Sequence, residues 1–156
     1  AAVFCKSEKS RTAAAENFRD EISGNHPDML EDFAASLDAM PTAEDFQAIR
    51  DVVTSVRNLV ARCNGLEIAA LMAFLEGTSD IIMPTLAALG ERLRLNGSCH
   101  TYIEVHTAAD GDHAALFMEG LEEEVSLHDN AEDIISEVET TILNFWAKIF
   151  EVELKS

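Results

Sequence analysis

The sequence predicts an all-α fold, a bundle of six or seven helices in a single domain that spans residues 1–156. Alanine, leucine and glutamate dominate, only three prolines are present, and the Val-, Thr- and Tyr-rich runs typical of strands are absent. Apolar residues recur at spacings of three and four, with short connections between such segments. A chain of 156 residues, 47% of them hydrophobic, is long enough to bury one substantial core.

Two helices are predicted in the first 40 residues. The first runs from about Lys9 to Ser23 and ends at the helix breakers in "SGNHPD". A short second helix follows from Asp28 to about Ala39, and Pro41 ends it. Its predicted apolar stripe consists of Leu30, Phe33, Leu37 and Met40.

The third predicted helix has the clearest periodicity in the chain. Thr42 is a favourable N-cap residue, and Asp45 stands at the capping-box position three residues later. Spacings of three and four then predict one amphipathic helix with one apolar seam. The seam consists of Phe46, Ile49, Val53, Val56, Val60 and Cys63.

The second half of the chain predicts four further helical segments. "LEIAALMAFLEG" is expected to close at Gly77, after which Thr78 or Ser79 caps "SDIIMPTLAALGERLRL", with Pro84 in the first turns of that helix. "NGS" is a turn, and the next helix runs to about Val125. Asn130 is expected to cap a last helix with the stripe Ile134, Ile135, Val138, Ile142, Trp146 and Ile149.

The net charge limits the partners that we expect, and the cysteine content bears on the location of the protein. The net charge is -18, with 29 acidic and 11 basic residues, and this charge repels phosphate backbones and anionic lipid. No apolar run reaches the length of a membrane span, and no basic segment followed by an apolar stretch opens the chain. The three cysteines match neither a disulfide framework nor a zinc motif. We therefore expect reduced thiols and a cytoplasmic location.

Three polar residues fall on the apolar side of the helix that begins near Tyr102. At about 100° per residue, Asp110 lies roughly 40° from His106 and His113 roughly 20° on the other side. Burying such groups without partners costs several kcal/mol each. The pattern alone leaves two interpretations open, namely core residues that hydrogen-bond one another and ligands of a metal, for which imidazole and carboxylate are suitable.

Further ligands would have to come from other helices, and three candidates stand in the chain. Glu76 closes an otherwise apolar segment, and small residues one and two turns earlier leave room around its carboxylate. Glu21 and His26 stand at the end of the first helix. Taken by themselves, Glu21 fits a solvated helix residue and His26 fits a loop residue.

In this order the segments resemble a known family, the heme-oxygenase-like diiron oxidases and oxygenases, also called iron-containing redox enzymes. The resemblance rests on "ENFRDEISGNHPDMLEDF", "FLEG" and "HTAADGDH", and it covers about residues 15–122. These three segments are similar, in turn, to the family's Asp-Glu-x-Gly followed by His, to its Glu-Gly, and to its His-x3-Asp-x2-His helix. The resemblance implies an all-α bundle like that of heme oxygenase and thiaminase II. It implies six metal ligands: Glu21, His26, Glu76, His106, Asp110 and His113.

The chain also departs from the family pattern in two respects. Ser23 stands where the family often has glycine, and family members are generally longer before the first ligand segment. The expected fold is therefore a heme-oxygenase-like multi-helix bundle that lacks, or does not show, N-terminal helices.

The family's chemistry supplies the functional expectation. The resemblance implies two Fe(II) ions with O2 as co-substrate, and a small organic substrate. The reaction would be amine N-oxygenation or oxidative carbon–carbon cleavage of an amino acid or fatty acid. A homodimer is the candidate assembly, with no nucleic-acid or membrane partner.

Four alternatives compete with this interpretation. Heme oxygenase needs a proximal histidine near the N-terminus and a basic patch, which this acidic chain does not offer. Ferritin-like diiron proteins use Glu-x-x-His motifs, and none occurs here. A thiaminase-II-like enzyme would use a cysteine nucleophile. A non-catalytic helical binding module would use the same histidines only as hydrogen-bonded core residues.

Overall fold

The computed structural model describes residues 4–95 and 97–153, and these residues form seven helices and no strand. For residues 98, 99 and 151–153 the description covers the backbone only. The helices are α1 (Glu8–Ser23), α2 (His26–Ser36), α3 (Ala43–Ala48), α4 (Arg50–Ala61), α5 (Gly65–Leu93), α6 (Ser98–Val125) and α7 (Ala131–Glu153). The all-α prediction is confirmed. In the described part of the chain, no helix is both long enough and apolar enough to cross a bilayer.

The two longest helices, α5 and α6, form an antiparallel hairpin at the centre of the bundle. Helices α1 and α2 pack mainly on α6, α7 packs on α5, and α4 packs on α7. The apolar core lies between the first half of α5, the second half of α6 and the first half of α7. Its fully buried members include Leu66, Ala70, Phe117, Val138 and Ile142.

Helix α1 is fixed to α6 by a close crossing and by a buried carboxylate. Gly120 allows the crossing, because a Cβ atom at this position would lie 2.9 Å from the Cα atom of Ser10. The hydroxyl of Ser10 donates to the carbonyl oxygen of Gly120 at 2.8 Å. Glu124, fully buried, accepts the backbone N–H groups of Lys6 at 2.8 Å and Ser7 at 2.7 Å. These contacts fix the start of α1, and therefore the register of α1 against α6.

The predicted break at Gly77 is wrong, since α5 continues from Gly65 through Gly77 to Leu93. Neither hydroxyl caps a new helix. Thr78 donates to the carbonyl oxygen of Phe74 within the same helix, and Ser79 donates to Asp110 on α6. Packing along α6 outweighs the modest helix penalty of one glycine. Pro84 consequently lies inside the second half of a 29-residue helix rather than in a first turn.

The predicted single helix from Thr42 to Cys63 is also divided. The capping box of Thr42 and Asp45 forms as predicted, but α3 ends at Ala48, and α4 begins after Ile49, which has φ -99° and ψ 0°. In α4 the fully buried residue is Leu59. The predicted seam does not form, because Phe46, Val60 and Cys63 are exposed once the change of direction at Ile49 ends the common face.

Helix α2 begins two residues earlier than predicted, at His26, and ends at Ser36, well before Pro41. Its predicted stripe is only partly covered. Leu30, Leu37 and Met40 are more than a third exposed, and Phe33 is half-buried against Tyr102. The helix is short and contacts α6 through His26 in its first turn and through Phe33 near its end.

Candidate metal centre

Helix α6 buries the polar face that its spacing predicts. His106 is 9% exposed, Asp110 is 4% exposed and His113 is 8% exposed, whereas Glu104 and Asp112 point to solvent. The three buried residues face α1, α2 and α5, the helices that carry the other three candidates.

The first group at this face contains Glu21, His26 and His106, whose candidate donor atoms lie within 4.8 Å of one another. Nδ1 of His26 lies 2.9 Å from Oε1 of Glu21, and the rings of His26 and His106 are 4.7 Å apart. Nδ1 of His106 lies 2.9 Å from the carbonyl oxygen of Tyr102. Because a carbonyl only accepts, Nδ1 of His106 carries the proton and Nε2 keeps its lone pair.

The turn between α1 and α2 brings His26 into this group. Asn25 adopts a left-handed conformation with φ 57°, so α2 starts immediately at His26. Gly24 makes room for the ring, since a Cβ atom at position 24 would lie 2.5 Å from Nε2 of His26. His26 is only 6% exposed and Glu21 is half-buried, so neither the loop interpretation of His26 nor the solvated interpretation of Glu21 holds.

The second group contains Glu76, Asp110 and His113, again with candidate donor atoms within 4.8 Å. Oε2 of Glu76 lies 3.9 Å from Nδ1 of His113. Two donor atoms bound to one divalent ion through bonds of about 2.1 Å lie at most about 4.2 Å apart, so these two atoms are already close enough to share an ion. Burial raises the pKa of Glu76 to about 7, with the charges of Asp110 and Glu21 acting in the same direction.

Four further residues contact the two groups, and none of them was predicted from the sequence as a ligand of the centre. Asn17, 6% exposed, donates from Nδ2 to Oε1 of Glu76 at 3.0 Å. Asp20 lies 3.2 Å from Nε2 of His113, and Ser79 donates to Oδ2 of Asp110. Tyr102 packs on His106 with ring centroids 4.2 Å apart. Helical spacing could have identified three of them, because Asn17 lies four residues before Glu21, Asp20 three residues after Asn17, and Ser79 three residues after Glu76.

The charge balance of the site suits divalent cations. Four carboxylates (Asp20, Glu21, Glu76 and Asp110) surround three imidazoles. Within the described ranges, the salt bridges of these carboxylates are all to histidines and none is to lysine or arginine. Glu76 and Asp110 are the two that are largely buried, and burying their charges without a cation is costly. Carboxylate and imidazole donors together fit iron and similar divalent ions. That the six predicted residues ligate metal stays a prediction.

Comparison with known families decides the wider class. A family model described as "Iron-containing redox enzyme" matches residues 1–146, which is nearly the whole chain. The chain belongs to the iron-containing redox enzyme family. The predicted resemblance is thus confirmed, and membership supports an iron-dependent oxidoreductase built on a heme-oxygenase-like, all-α fold. No curated protein sequence and no solved structure gives a significant match.

Proposed function

We propose that the protein is a non-heme diiron oxidase or oxygenase that uses O2 to oxidise a small organic substrate. The observation that carries the proposal is the division of six buried or half-buried side chains into two neighbouring triads. Each triad contains both imidazole and carboxylate, and each has the size of a site for one ion. One triad has two histidines and one carboxylate, and the other has one histidine and two carboxylates.

The three carboxylates of the triads offset most of the charge that two Fe(II) ions bring. The metal pair, when bound, supplies the activation of O2, and the protein supplies binding, orientation and exclusion of water. Glu21 and His26 with His106 would hold one ion, and Glu76 and Asp110 with His113 the other. Asn17 and Ser79 hold Glu76 and Asp110 in place through hydrogen bonds, so these carboxylates are positioned before metal arrives.

The two sides of the centre differ in solvent access. The side chain of Glu21 is 38% exposed, whereas that of Glu76 is 14% exposed. The centre is therefore open on the side of α1 and α2, and closed on the side of α5. On the open side the rings of Phe33 and Tyr102 stack 5.1 Å apart next to His106. We propose that the substrate reaches the centre there and packs its apolar part against these rings.

The charge of the chain favours amines among the family's substrates. A net charge of -18 raises the local concentration of cations and lowers that of anions, so a protonated amine is steered to the surface and a fatty-acid carboxylate is repelled. N-oxygenation of an amine, or oxidation of a cationic amino-acid side chain, is the reaction that we propose first.

A thiaminase-II-like activity is the alternative on the same fold, and the two thiols described do not support it. Cys5 is buried, and burial together with the charge of Glu124 raises its pKa, which keeps it in the unreactive thiol form. Cys63 is exposed beyond the end of α4, away from both triads. The side chain of Cys99 lies outside the described residues.

Iron loading tests the proposal. After anaerobic addition of Fe(II) and removal of the excess, we expect about two irons per chain and O2 consumption that rises with a suitable amine. His106→Ala and His113→Ala should each lower the iron content, while His100→Ala, an exposed histidine of the same helix, should leave it unchanged. A correctly folded wild type that binds no iron would contradict the proposal, and would favour the thiaminase-like enzyme or the binding module.

A further inference from the structure

Both ring nitrogens of His113 have a neighbour that restricts where the proton can be. Nδ1 lies 3.4 Å from Nδ2 of Asn17 and 3.9 Å from Oε2 of Glu76. Nε2 lies 3.2 Å from Oδ2 of Asp20. The ring is thus held between two residues of α1 and is 8% exposed. No other imidazole of the two triads has a carboxylate from outside the triads on its second nitrogen, as far as the described contacts extend.

The two contacts select the same tautomer independently. The amide nitrogen of Asn17 already donates to Glu76 and has only hydrogens to offer, so the nitrogen it faces must be an acceptor. An ionised carboxylate only accepts, so the nitrogen that faces Asp20 must carry hydrogen. The neutral ring of His113 therefore has Nε2–H and an unprotonated Nδ1.

From this geometry we propose that Asp20 is a positioning residue for the centre. By accepting the Nε2–H of His113, it keeps the Nδ1 lone pair directed at Glu76, where the second ion would bind. The inference rests on the proposed function, because it gives Asp20 a purpose only if metal binds there. A carboxylate on the far nitrogen of a ligating imidazole fixes the orientation of the ring and makes the ring a stronger donor.

The placement of Asp20 on α1 connects the two triads. Asn17 and Asp20 are three residues apart, so their side chains share one face of α1 and flank the ring of His113 on both nitrogens. Glu21, the next residue, contacts His26 in the first triad. One turn of α1 thus determines the tautomer of His113 and supplies the carboxylate of Glu21 to the first triad.

Two readouts test the role of Asp20. Protein labelled with 15N at histidine, metal-free and at a pH where the ring is neutral, should show His113 protonated at Nε2. In Asp20→Ala this preference should weaken, because only the longer contact with Asn17 is left to select the tautomer. In Fe(II) titrations, Asp20→Ala should weaken the second position about 10- to 100-fold and leave the first nearly unchanged. Asp20→Asn, which keeps an acceptor oxygen and the side-chain volume, should retain the Nε2–H tautomer and lose less affinity.

Asp112→Ala is the matched control, because it removes one carboxylate next to His113 that points to solvent. It should keep both the tautomer and the affinity of the wild type. A wild type protonated at Nδ1, or an Asp20→Ala protein with unchanged affinity for two irons, would overturn the role of Asp20 and leave the proposed function intact. A wild type that binds no iron would instead remove the proposed function, and the metal-directed role of Asp20 with it. If Asp20→Ala does not fold, the wild type decides the question, since a His113 ring protonated at Nε2 agrees with the role of Asp20 and one protonated at Nδ1 overturns it.

Discussion

Gly24 and His26 are in direct contact in the turn between α1 and α2. A Cβ atom at position 24 would lie 2.5 Å from Nε2 and 2.6 Å from Cδ2 of the His26 imidazole, and 2.8 Å from the carbonyl oxygen of Asp20. These distances are shorter than any van der Waals contact between such atoms. The place of His26 in the first triad thus depends on a residue without a side chain two positions earlier.

Gly24→Ala should therefore displace the imidazole of His26 and weaken the first metal position. We expect the iron content to fall from about two towards about one per chain, since a misplaced ligand costs at least as much affinity as a lost positioning contact, about 10- to 100-fold. Metal analysis after anaerobic Fe(II) loading measures this change. Gly77→Ala is the control, because a Cβ atom there meets nothing within 4 Å.

The control variant Gly77→Ala should itself change the stability of the protein. Gly77 lies inside α5, where alanine is a better helix former by roughly 0.5–1 kcal/mol. Gly77→Ala should raise the free energy of unfolding by about that amount and keep the iron content. If Gly24→Ala were to bind as much iron as Gly77→Ala, the contact between Gly24 and His26 would not matter for the centre.

Glu76→Gln should make the metal-free protein more stable at alkaline pH. The pKa of Glu76 is raised to about 7 in the folded state from an ordinary value of 4.5. Its contribution to stability is therefore fully present below pH 4.5 and is lost as the pH rises through 7. The loss is on the order of 3 kcal/mol, and glutamine, which stays neutral, avoids it.

Urea unfolding of metal-free protein at about pH 4 and about pH 8 measures this difference. Glu76→Gln should gain stability over the wild type only at the higher pH, and should lose the second iron, because a neutral amide is a poor ligand for Fe(II). Glu122→Gln, an exposed residue of α6, should show neither effect. An equal gain at both pH values would show that the raised pKa is not its cause.

Ser79→Ala should destabilise the protein and weaken the second metal position. The hydroxyl of Ser79 donates to Asp110, which is 4% exposed, and a lost hydrogen bond to a buried charged group costs about 1.5–3 kcal/mol. Metal-free unfolding and Fe(II) titration both measure the effect. Ser55→Ala, which removes an exposed hydroxyl that donates to a carbonyl oxygen within α4, should change stability by less than about 0.5 kcal/mol. A Ser79→Ala protein no less stable than the Ser55→Ala protein would contradict the prediction.

Glu124→Ala should loosen the start of α1 and reduce stability by about 2 kcal/mol or more, because it leaves two backbone N–H groups without their acceptor. Burial alone would raise the pKa of Glu124, but hydrogen bonds from Lys6, Ser7 and His128 outweigh it and lower the pKa. The contribution of Glu124 is thus present above its ordinary pKa and is lost as the pH falls through the lowered value.

Thermal or urea unfolding at neutral and acidic pH checks this dependence, which runs opposite to that of Glu76. Glu124→Ala should differ most from the wild type at neutral pH, and the difference should shrink in acid. Glu122→Ala serves as the control, since Glu122 is exposed on the same helix. A Glu124→Ala protein with wild-type stability at neutral pH would show that this carboxylate does not hold α1 against α6.

The sequence by itself determined the helical class and the shared face of the three α6 candidates, whereas the choice of Glu21, His26 and Glu76 depended on the family resemblance. Helical spacing places His106, Asp110 and His113 on one face whatever the rest of the chain does, because 3.6 residues per turn fixes their relative directions. The capping box at Thr42 and the end of α6 at Val125 are equally local, and both are observed as predicted. Such features need only neighbouring residues to form.

Only the tertiary structure decided how those residues are arranged. The division into two triads depends on how α1, α2 and α5 pack against α6, and no periodicity within one helix contains that information. Contacts between helices also decided that α5 continues through Gly77 and that Phe46 and Val60 are exposed. They placed Asn17, Asp20 and Ser79 at the centre as well. Contacts between helices, worth several kcal/mol in sum, outweigh the fraction of a kcal/mol that separates one local preference from another.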